Sequence, residues 1–398
     1  MSAALSVSKS VPAQPELAFR MFTTPFLLKQ WLCHDCKVDA RSGGKYFLTW
    51  NDGNHAIGTY TAWDEGSRLT FSWQGSGDPQ VSTVDVQLST TGDETQIELT
   101  HTGISDEATR ERFEQDWTSS LENLRYTLET GFDYRIMSRP MLGVYPMSSN
   151  ELGTAKRRGL DTTRGVLLNG VAPGSGAEAA GLQKDDAILT IAGKLLDNAT
   201  GFAEILAPYK GGDTVPVEYL RDGEMQTTQM TLTKRSLPEL ATTPDELAQT
   251  VRRTHVEVDL ALTELIRGVP EDLLARPPAE GEWSVVEIMS HLLFSERYLY
   301  TWMWAMASGD DAVPWNDNNI LQRVPLLALY PTAAELLEEL RRSQAGLVAL
   351  AKAIPASVVE NKPLFAQMAG VFAGFAGHAT LHLEQIRQTL AAVAPANA

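Results

Sequence analysis

The sequence predicts a chain of three folded domains: an α+β domain whose antiparallel sheet wraps around a long helix, a β-rich domain, and an all-α four-helix bundle. Two observations support this division. The hydrophobic pattern changes its period near residues 136 and 238, ending in a helical spacing of three and four residues. The length of 398 residues also suffices for two or three domains that each bury a core. We therefore expect domains at residues 1–136, 137–237 and 238–398.

The composition limits both the partners and the compartment. The chain has 33 Lys and Arg against 50 Asp and Glu, and its formal net charge of −17 repels nucleic-acid phosphates and anionic membranes. Cys33 and Cys36 are the only cysteines, too few for a disulfide-built secreted scaffold. The N-terminus lacks the pattern of an export signal, and no run approaches about 18 consecutive apolar residues. We expect a cytoplasmic protein that binds neither nucleic acid nor membrane.

The first domain combines short strands with one long helix. Residues 44–50, 58–63, 68–73, 82–89 and 95–102 alternate with a period of two, and Glu107–Thr130 has a helical pattern. A curved sheet around a helix often leaves a cavity between them. The candidate lining residues are Trp31, Trp50, Trp73 and Trp117. The alternative interpretation is that these tryptophans only fill the core.

Several short motifs of this domain point to a known superfamily. They are residues 15–19 (PELAF), 29–32 (KQWL), 43–46 (GGKY), 69–73 (LTFSW) and 114–117 (EQDW). Together they resemble the SRPBCC (START-related) superfamily, and within it the branch named after the activator of the heat-shock-protein ATPase. The resemblance implies a helix-grip fold and a hydrophobic small-molecule ligand. The name of the branch alone raises a stress-response or chaperone-linked role, because fold does not determine function.

The second domain carries the motifs RPMLGV at residues 139–144, VAPGSGAEAAGL at 171–182 and GDTVPV at 212–217. These resemble a PDZ domain of the HtrA-protease type. The resemblance implies that Met141, Leu142, Gly143 and Val144 form a loop for a protein C-terminal carboxylate, beside a groove for an extended peptide. Phe202 and Leu206 are candidate walls of that groove. The alternative is that residues 142–144 only begin a core strand. A protease is not implied, since no serine nucleophile motif is found.

The third domain is helical throughout. Helical periodicity covers residues 244–267, 284–308, 332–353 and 365–393, with one long linkage at 309–330. Ser284 and Glu287 form a capping-box pattern that begins the second of these helices. Four helices of about 20 residues predict a four-helix bundle. Three further tryptophans are candidates for walls of an entry to the metal site, or equally for packing or interface residues: Trp302, Trp304 and Trp315.

Three histidines of this domain have the spacing of a metal site. His378 and His382 are four residues apart and share one face of the last helix, while His291 lies on the second. Three neutral imidazoles leave a fourth coordination position open, as in catalytic zinc sites. The alternative is a polar stripe or a hydrogen-bonded core cluster without metal. Zn, Ni, Fe and Mn all accept imidazole ligands, so the identity of the divalent transition metal stays open.

Residues one turn from these histidines are candidates for orienting the imidazoles or a substrate: Glu287, Ser295 and Gln385. His255, on the first helix, is expected to be solvated or locally hydrogen-bonded.

The segments around the histidines also resemble a family. They read GEWSVVEIMSHL at residues 281–292 and GHATLHLEQI at 377–386, and they resemble the DinB-like superfamily of four-helix bundles. The resemblance implies that His291, His378 and His382 are the metal ligands. For several members it implies transfer of a low-molecular-weight thiol or thiol-dependent isomerisation.

Two functions remain open at this stage. One is a metal-dependent thiol S-transferase or isomerase that acts on a hydrophobic small molecule. The other is a non-catalytic adaptor or stress-response protein that binds a ligand and a peptide. An open coordination position that solvent can reach would favour the enzyme.

Overall fold

The computed structural model describes residues 3–147, 156, 163, 165–199, 201–309 and 318–394. The chain divides into two compact units. One unit contains Met1–Phe132 together with Pro238–Ala398, and the other contains Asp133–Leu237. The predicted fold class is confirmed, because an antiparallel-sheet region, a β-rich region and a helical region follow one another along the chain.

The N-terminal part of the first unit is an antiparallel sheet of seven strands in the order β1-β7-β6-β5-β4-β3-β2. The strands are β1 Ala3–Val11, β2 Asp35–Val38, β3 Lys45–Thr49, β4 His55–Asp64, β5 Arg68–Gly75, β6 Ser82–Thr91 and β7 Glu94–Ile104. The helices are α1 Pro15–Met21, α2 Pro25–Lys29 and α3 Glu107–Thr130.

The alternation of buried and exposed side chains along the strands explains why one face of this sheet packs on the core. In β6, Val84 and Val86 are fully buried, whereas Asp85 between them is more exposed. Helix α3 begins at Asp106, whose carboxylate accepts the amide of Thr109, and ends at Gly131 in the left-handed conformation. Its buried side chains, including Trp117 and Leu124, belong to the same core as the sheet. The motifs predicted a helix-grip fold, and the packing of α3 on this sheet confirms that prediction.

The second unit is built on a six-stranded sheet. Its main path is β13-β12-β10-β9-β8, and β11 pairs with β10. The strands are β8 Val144–Pro146, β9 Val166–Val171, β10 Ala187–Ile191, β11 Lys194–Leu195, β12 Thr214–Arg221 and β13 Glu224–Thr231. The helices are α4 Tyr134–Met137, α5 Gly176–Ala179 and α6 Gly201–Leu206. The core contains Leu168, Ile188, Val217 and Met230, all fully buried.

The described residues of the C-terminal part of the first unit form a bundle of four long helices with three shorter ones. The long helices are α7 Pro244–Ile266, α9 Val285–Ser308, α11 Ala333–Lys352 and α13 Lys362–Val393. The short helices are α8 Glu271–Leu274, α10 Asn319–Leu329 and α12 Ala356–Glu360. The predicted capping box is present, since the side chains of Ser284 and Glu287 each bond to the other residue's amide. Helix α10 lies within the linkage at residues 309–330, for which no helix was predicted.

Helix α13 has the length and composition of a membrane span, and it is the one such helix of at least 18 residues in the described part of the chain. A core helix of a bundle has the same properties. Phe365, Met368 and Phe372 of α13 are buried in one hydrophobic cluster, and Leu383 and Ile386 are buried in another. The helix contacts α3, α7 and α9.

Candidate metal centre and accessory sites

The three histidines predicted to share a metal ion lie together in the bundle. His291 comes from α9, and His378 and His382 come from successive turns of α13. The Nε2 atom of His378 lies 3.3 Å from Nε2 of His291 and 3.1 Å from Nε2 of His382. One ring nitrogen from each residue falls within 4.8 Å of the other two. Helix packing therefore brings together side chains that are 87 residues apart in sequence.

Two glutamines hold the opposite edges of these rings. Oε1 of Gln322 on α10 lies 3.2 Å from Nδ1 of His291, and Oε1 of Gln385 lies 2.8 Å from Nδ1 of His382. A carbonyl oxygen only accepts, so this hydrogen bonding assigns the proton to Nδ1 in both rings. Their Nε2 lone pairs then face the centre of the cluster, which is the tautomer that metal coordination through Nε2 requires.

The surroundings keep the imidazoles neutral. Burial lowers the pKa of His291 and of His378 to about 4, and the neighbouring imidazoles, both for His291 and that of His382 for His378, act in the same direction. Burial also lowers the pKa of His382, although the hydrogen bond that its ring donates to Gln385 acts in the opposite direction. All three rings are therefore uncharged near pH 7. Uncharged imidazole is the form that binds a metal ion.

The geometry fits a divalent ion. Metal-to-imidazole bonds of about 2.0–2.1 Å in a tetrahedral site place the nitrogens about 3.3 Å apart. The two Nε2 separations from His378, 3.1 and 3.3 Å, match this spacing. The inward Nε2 lone pairs of His291 and His382 repel each other unless a metal ion or a proton on His378 Nε2 lies between them. His291 is buried, whereas His378 and His382 are half-buried, so one side of the cluster faces solvent.

An aromatic wall covers another side of the cluster. The ring of Trp283 lies 5.2 Å from that of His291 and is parallel to that of His382, at 6.5 Å and 11°. The Arg323 guanidinium lies 4.3 Å above Trp283 and pairs with Glu287. This stacking fixes the indole against the imidazoles. Phe375, 5.3 Å from His378, adds an apolar surface on α13.

The three predicted orienting residues have different positions. Gln385 bonds to the His382 ring. The Ser295 hydroxyl donates to the carbonyl oxygen of His291, 2.9 Å away, and so bonds to the backbone of that ligand. Glu287 accepts from the Ser284 amide and pairs with Arg323.

Sequence reasoning missed Gln322 and Arg323, because both lie on α10 in the linkage. The apolar spacing of residues 320–329 is the signal that could have revealed this helix.

The remaining polar and aromatic candidates of the bundle are His255, Trp302, Trp304 and Trp315. His255 is buried, and its Nε2 lies 3.2 Å from Oε1 of Glu296, which is also buried. His255 is therefore locally paired. Trp302 is buried and Trp304 is 55% exposed. Trp315 lies outside the described residues.

The four tryptophans predicted to line a ligand cavity fall into two groups. Trp73 lies 5.2 Å from Trp117 and 6.4 Å from Trp50, so these three form one aromatic cluster. Trp31 packs separately against Phe22, with ring centres 5.0 Å apart. Trp31 and Trp50 donate their indole N–H to backbone carbonyls, and Trp117 donates to His101. The buried indole nitrogen of Trp73 has no hydrogen-bond partner among the described residues.

A surface pocket of about 710 Å³ lies elsewhere on the same sheet. Its lining includes Phe47, Ile57 and Val81, which are 41%, 43% and 58% exposed. None of the four candidate tryptophans lines it.

The predicted carboxylate loop of the second unit leads into an edge strand. Leu142 is buried, and Gly143 has a φ of +78°. A Cβ atom at Gly143 would lie 2.1 Å from Cβ of Ser175, so only glycine fits there. Met141 forms a bridge with Thr233, and Val144 begins β8, which pairs with β9 and is the last of the described strands in this sheet.

The two predicted groove residues differ in burial. Phe202 is half-buried beside the core, and Leu206 is 6% exposed within it.

Three family models match consecutive parts of the chain. Residues 12–129 match the activator of Hsp90 ATPase homolog 1-like protein family, residues 140–232 match the PDZ domain, and residues 255–386 match the DinB superfamily. The three resemblances predicted from the motifs are confirmed, in the predicted order. The DinB match contains all three histidines of the cluster, and the PDZ match contains residues 141–144.

The curated relatives resemble the PDZ region. A serine protease Do-like HtrA from Bacillus subtilis is 34% identical over 106 residues, which cover 25% of this chain and 24% of the relative. A probable periplasmic serine endoprotease DegP-like from a Marinomonas species is 37% identical over 100 residues, which cover 25% and 21%. The chain thus spans less than a quarter of the length of these relatives.

Solved structures resemble about a third of the chain. A protein from Chromobacterium violaceum has 26% identity and a TM-score of 0.29, covering 31% of this chain and 94% of that one. An HSP90 activator from Plasmodium falciparum has 24% identity and a TM-score of 0.29, covering 32% and 96%.

Proposed function

We propose that the bundle is a metal-dependent catalytic domain in which His291, His378 and His382 bind one divalent transition metal ion, and that it transfers a low-molecular-weight thiol or catalyses a thiol-dependent isomerisation. The convergence of the three histidines carries the proposal: Nε2 of His378 lies 3.3 Å from Nε2 of His291 and 3.1 Å from Nε2 of His382, and one ring nitrogen from each residue falls within 4.8 Å of the other two. The glutamine partners at two Nδ1 atoms support it, because they orient the lone pairs inward.

The chemistry follows from the charge of the ligands. A divalent ion held by neutral imidazoles supplies an uncancelled positive charge, which favours the deprotonated form of a thiol beside it. Gln322 and Gln385 keep the imidazoles in the ligating tautomer. Trp283 and Phe375 give the site apolar walls for a hydrophobic electrophile. The half-buried side at His378 and His382 leaves room for access.

The first domain supports a hydrophobic small molecule as the second substrate. The Trp50, Trp73 and Trp117 cluster offers apolar surface, and the indole N–H of Trp73, which has no partner in the described part of the chain, suits a ligand that carries a hydrogen-bond acceptor. Native mass spectrometry of the purified protein would detect such a ligand. We expect Trp73→Phe to weaken its retention and Trp304→Phe, at an exposed position of the bundle, to leave it unchanged.

Elemental analysis tests the metal site. The untagged protein, His378→Ala and His55→Ala would be purified without added metal and then reloaded at pH 7.5 with each of Zn, Ni, Fe and Mn. We expect about one equivalent in the wild type and in His55→Ala, whose substituted histidine is exposed in the first domain, and none in His378→Ala. No stoichiometric metal in any of the three proteins would contradict the proposal.

Cobalt substitution then tests the thiol. A small thiol added to the cobalt-loaded protein should produce a thiolate-to-cobalt charge-transfer band, and His378→Ala should produce none. A cobalt site whose spectrum is unchanged by thiols of every size would leave a metal site without thiol chemistry.

A specific observation also favours a peptide-binding role for the second unit. Among the described strands β8 lies at the end of the sheet, and Tyr145 within it is 55% exposed, which suits the addition of an extended peptide as a further strand. In a library of peptides with random C-terminal sequences, we expect free carboxyl termini to bind and the amidated copies of the same peptides not to bind. Equal binding of both forms would exclude carboxylate capture.

A further inference from the structure

The first domain and the bundle share one hydrophobic core although about 100 residues separate them in sequence. A single cluster of buried side chains contains Leu99 and Leu128 of the first domain together with Leu299, Leu347 and Phe365 of the bundle. The second unit has hydrophobic clusters of its own, and all the residues of these clusters lie between positions 142 and 232. The compact unit therefore consists of two parts that are distant in sequence, with the second unit inserted between them.

Polar contacts and close packing support this shared core at its edge. The side chain of Gln30 donates to Gln367 at 3.2 Å. Lys362 Nζ lies 3.4 Å from the carbonyl oxygen of Glu129, near the end of α3. Gly131 follows α3, and a Cβ atom there would lie 2.5 Å from Cβ of Ala366. The end of α3 thus packs directly against the first two turns of α13.

Helix α13 connects this shared core to the histidine cluster. Its first half contributes Phe365, Met368 and Phe372 to the shared core. Its second half contributes Ala379 and Leu383 to a second cluster around the histidines, and it carries His378 and His382. In the helix α9, Leu299 and Leu292 divide between the same two clusters. Two continuous helices therefore cross from one cluster to the other.

We propose that the first domain and the bundle unfold as one cooperative unit and that the second unit unfolds independently. Cooperative units of this kind follow contiguous packing rather than sequence order. A substitution that lowers the stability of the bundle near the histidines therefore also lowers the free energy of unfolding of the sheet in the first domain. By thermodynamic linkage, metal binding at the histidine cluster stabilises the first domain, and ligand binding at the tryptophan cluster of the first domain stabilises the bundle.

Hydrogen exchange measured by mass spectrometry on the full chain tests this proposal. Leu383→Ala creates a cavity in the cluster around the histidines, far from the sheet in sequence. We expect the slowest amides of β6 and β7 to exchange about tenfold faster or more, in parallel with the slowest amides of α9 and α11, while those of β12 and β13 stay unchanged. The matched substitution Leu168→Ala, in the core of the second unit, should accelerate β12 and β13 only.

Faster exchange in the bundle alone, with β6 and β7 unchanged after Leu383→Ala, would overturn the proposal. If Leu383→Ala does not fold, the milder Ile386→Val at a fully buried position of the same cluster gives the same comparison with a smaller increase. Neither measurement requires bound metal, so failure of the metal assignment and failure of this proposal are separate results.

Discussion

The Nδ1 atom of His382 lies 2.8 Å from Oε1 of Gln385, three residues further along the same helix. This contact fixes the tautomer of the imidazole and therefore which ring nitrogen can bind a metal ion. With Nδ1 donating to the amide oxygen, Nε2 has a free lone pair, and that lone pair faces His378 Nε2 at 3.1 Å. A hydrogen bond on the outer edge of the ring thus prepares the inner edge for a cation.

Removing this contact should weaken metal binding without abolishing it. We expect Gln385→Leu, and separately Gln322→Leu, to lower metal affinity about 10- to 100-fold, because the imidazoles lose the acceptors that fix their tautomer. Competition with a chromophoric chelator measures the affinity. Gln388→Leu is the control, since Gln388 is exposed and bonds to Glu384 on the outside of α13. Equal affinity in all four proteins would show that the glutamines do not orient the ligands.

The sequence predicted the ligand triad more completely than its surroundings. The spacing of His378 and His382 is a local property of one helix, and the motif around His291 identified the second helix. Gln322 is different, because its contact with His291 depends on how α10 folds back onto α9, and helix period carries no such information.

The same distinction separates the tryptophans of the first domain. Alternation placed Trp73 on the buried face of its strand, and Trp73 does cluster with Trp117. Trp31 follows a short helix, and its packing against Phe22 is a tertiary contact that alternation does not reach.

His101 should make the stability of the first unit depend on pH. Trp117 donates to Nδ1 of His101 at 3.2 Å, and Ser82, whose hydroxyl donates to a carbonyl oxygen, accepts from Nε2 at 2.7 Å. The ring is therefore neutral, because a second proton on Nδ1 would remove the acceptor of the hydrogen bond from Trp117. Burial lowers the pKa of His101 to about 4, although Asp78 acts in the opposite direction.

The sign follows from proton linkage. Between pH 6.5 and 4 the unfolded chain binds a proton at residue 101 and the folded chain does not, so acid favours unfolding. From pH 7 to pH 5 this histidine alone should remove about 2 kcal/mol of stability. His101→Gln keeps an acceptor and a donor but does not titrate. Urea unfolding at both pH values should give a smaller loss for this variant, and an identical loss in both proteins would contradict the assignment.

Gly143 should be more sensitive to substitution than a glycine with the same backbone angle in open space. Gly143 and Gly223 have φ values of +78° and +82°. A Cβ atom at Gly143 would lie 2.1 Å from Cβ of Ser175, whereas nothing lies within 4 Å of one at Gly223. We expect Gly223→Ala to cost about 1–2 kcal/mol for the left-handed backbone alone, and Gly143→Ala to cost more. Thermal unfolding of the second unit measures both, and equal losses would mean that the loop moves away from Ser175 freely.

Asp186 should be the most sensitive charged residue of the second unit. Its carboxylate is fully buried, accepts two bonds from the Arg221 guanidinium at 2.7 and 2.8 Å, and accepts the amide of Gln183. Arg221→Ala leaves this charge buried with one amide partner, which typically costs about 3–5 kcal/mol. Exposed Glu224 is the control, and Glu224→Ala should change stability by less than about 0.5 kcal/mol. Because the second unit has its own hydrophobic core, Arg221→Ala should lower the midpoint of its transition while metal stoichiometry in the bundle is retained. Loss of the metal together with the second unit would instead mean that the two units fold as one.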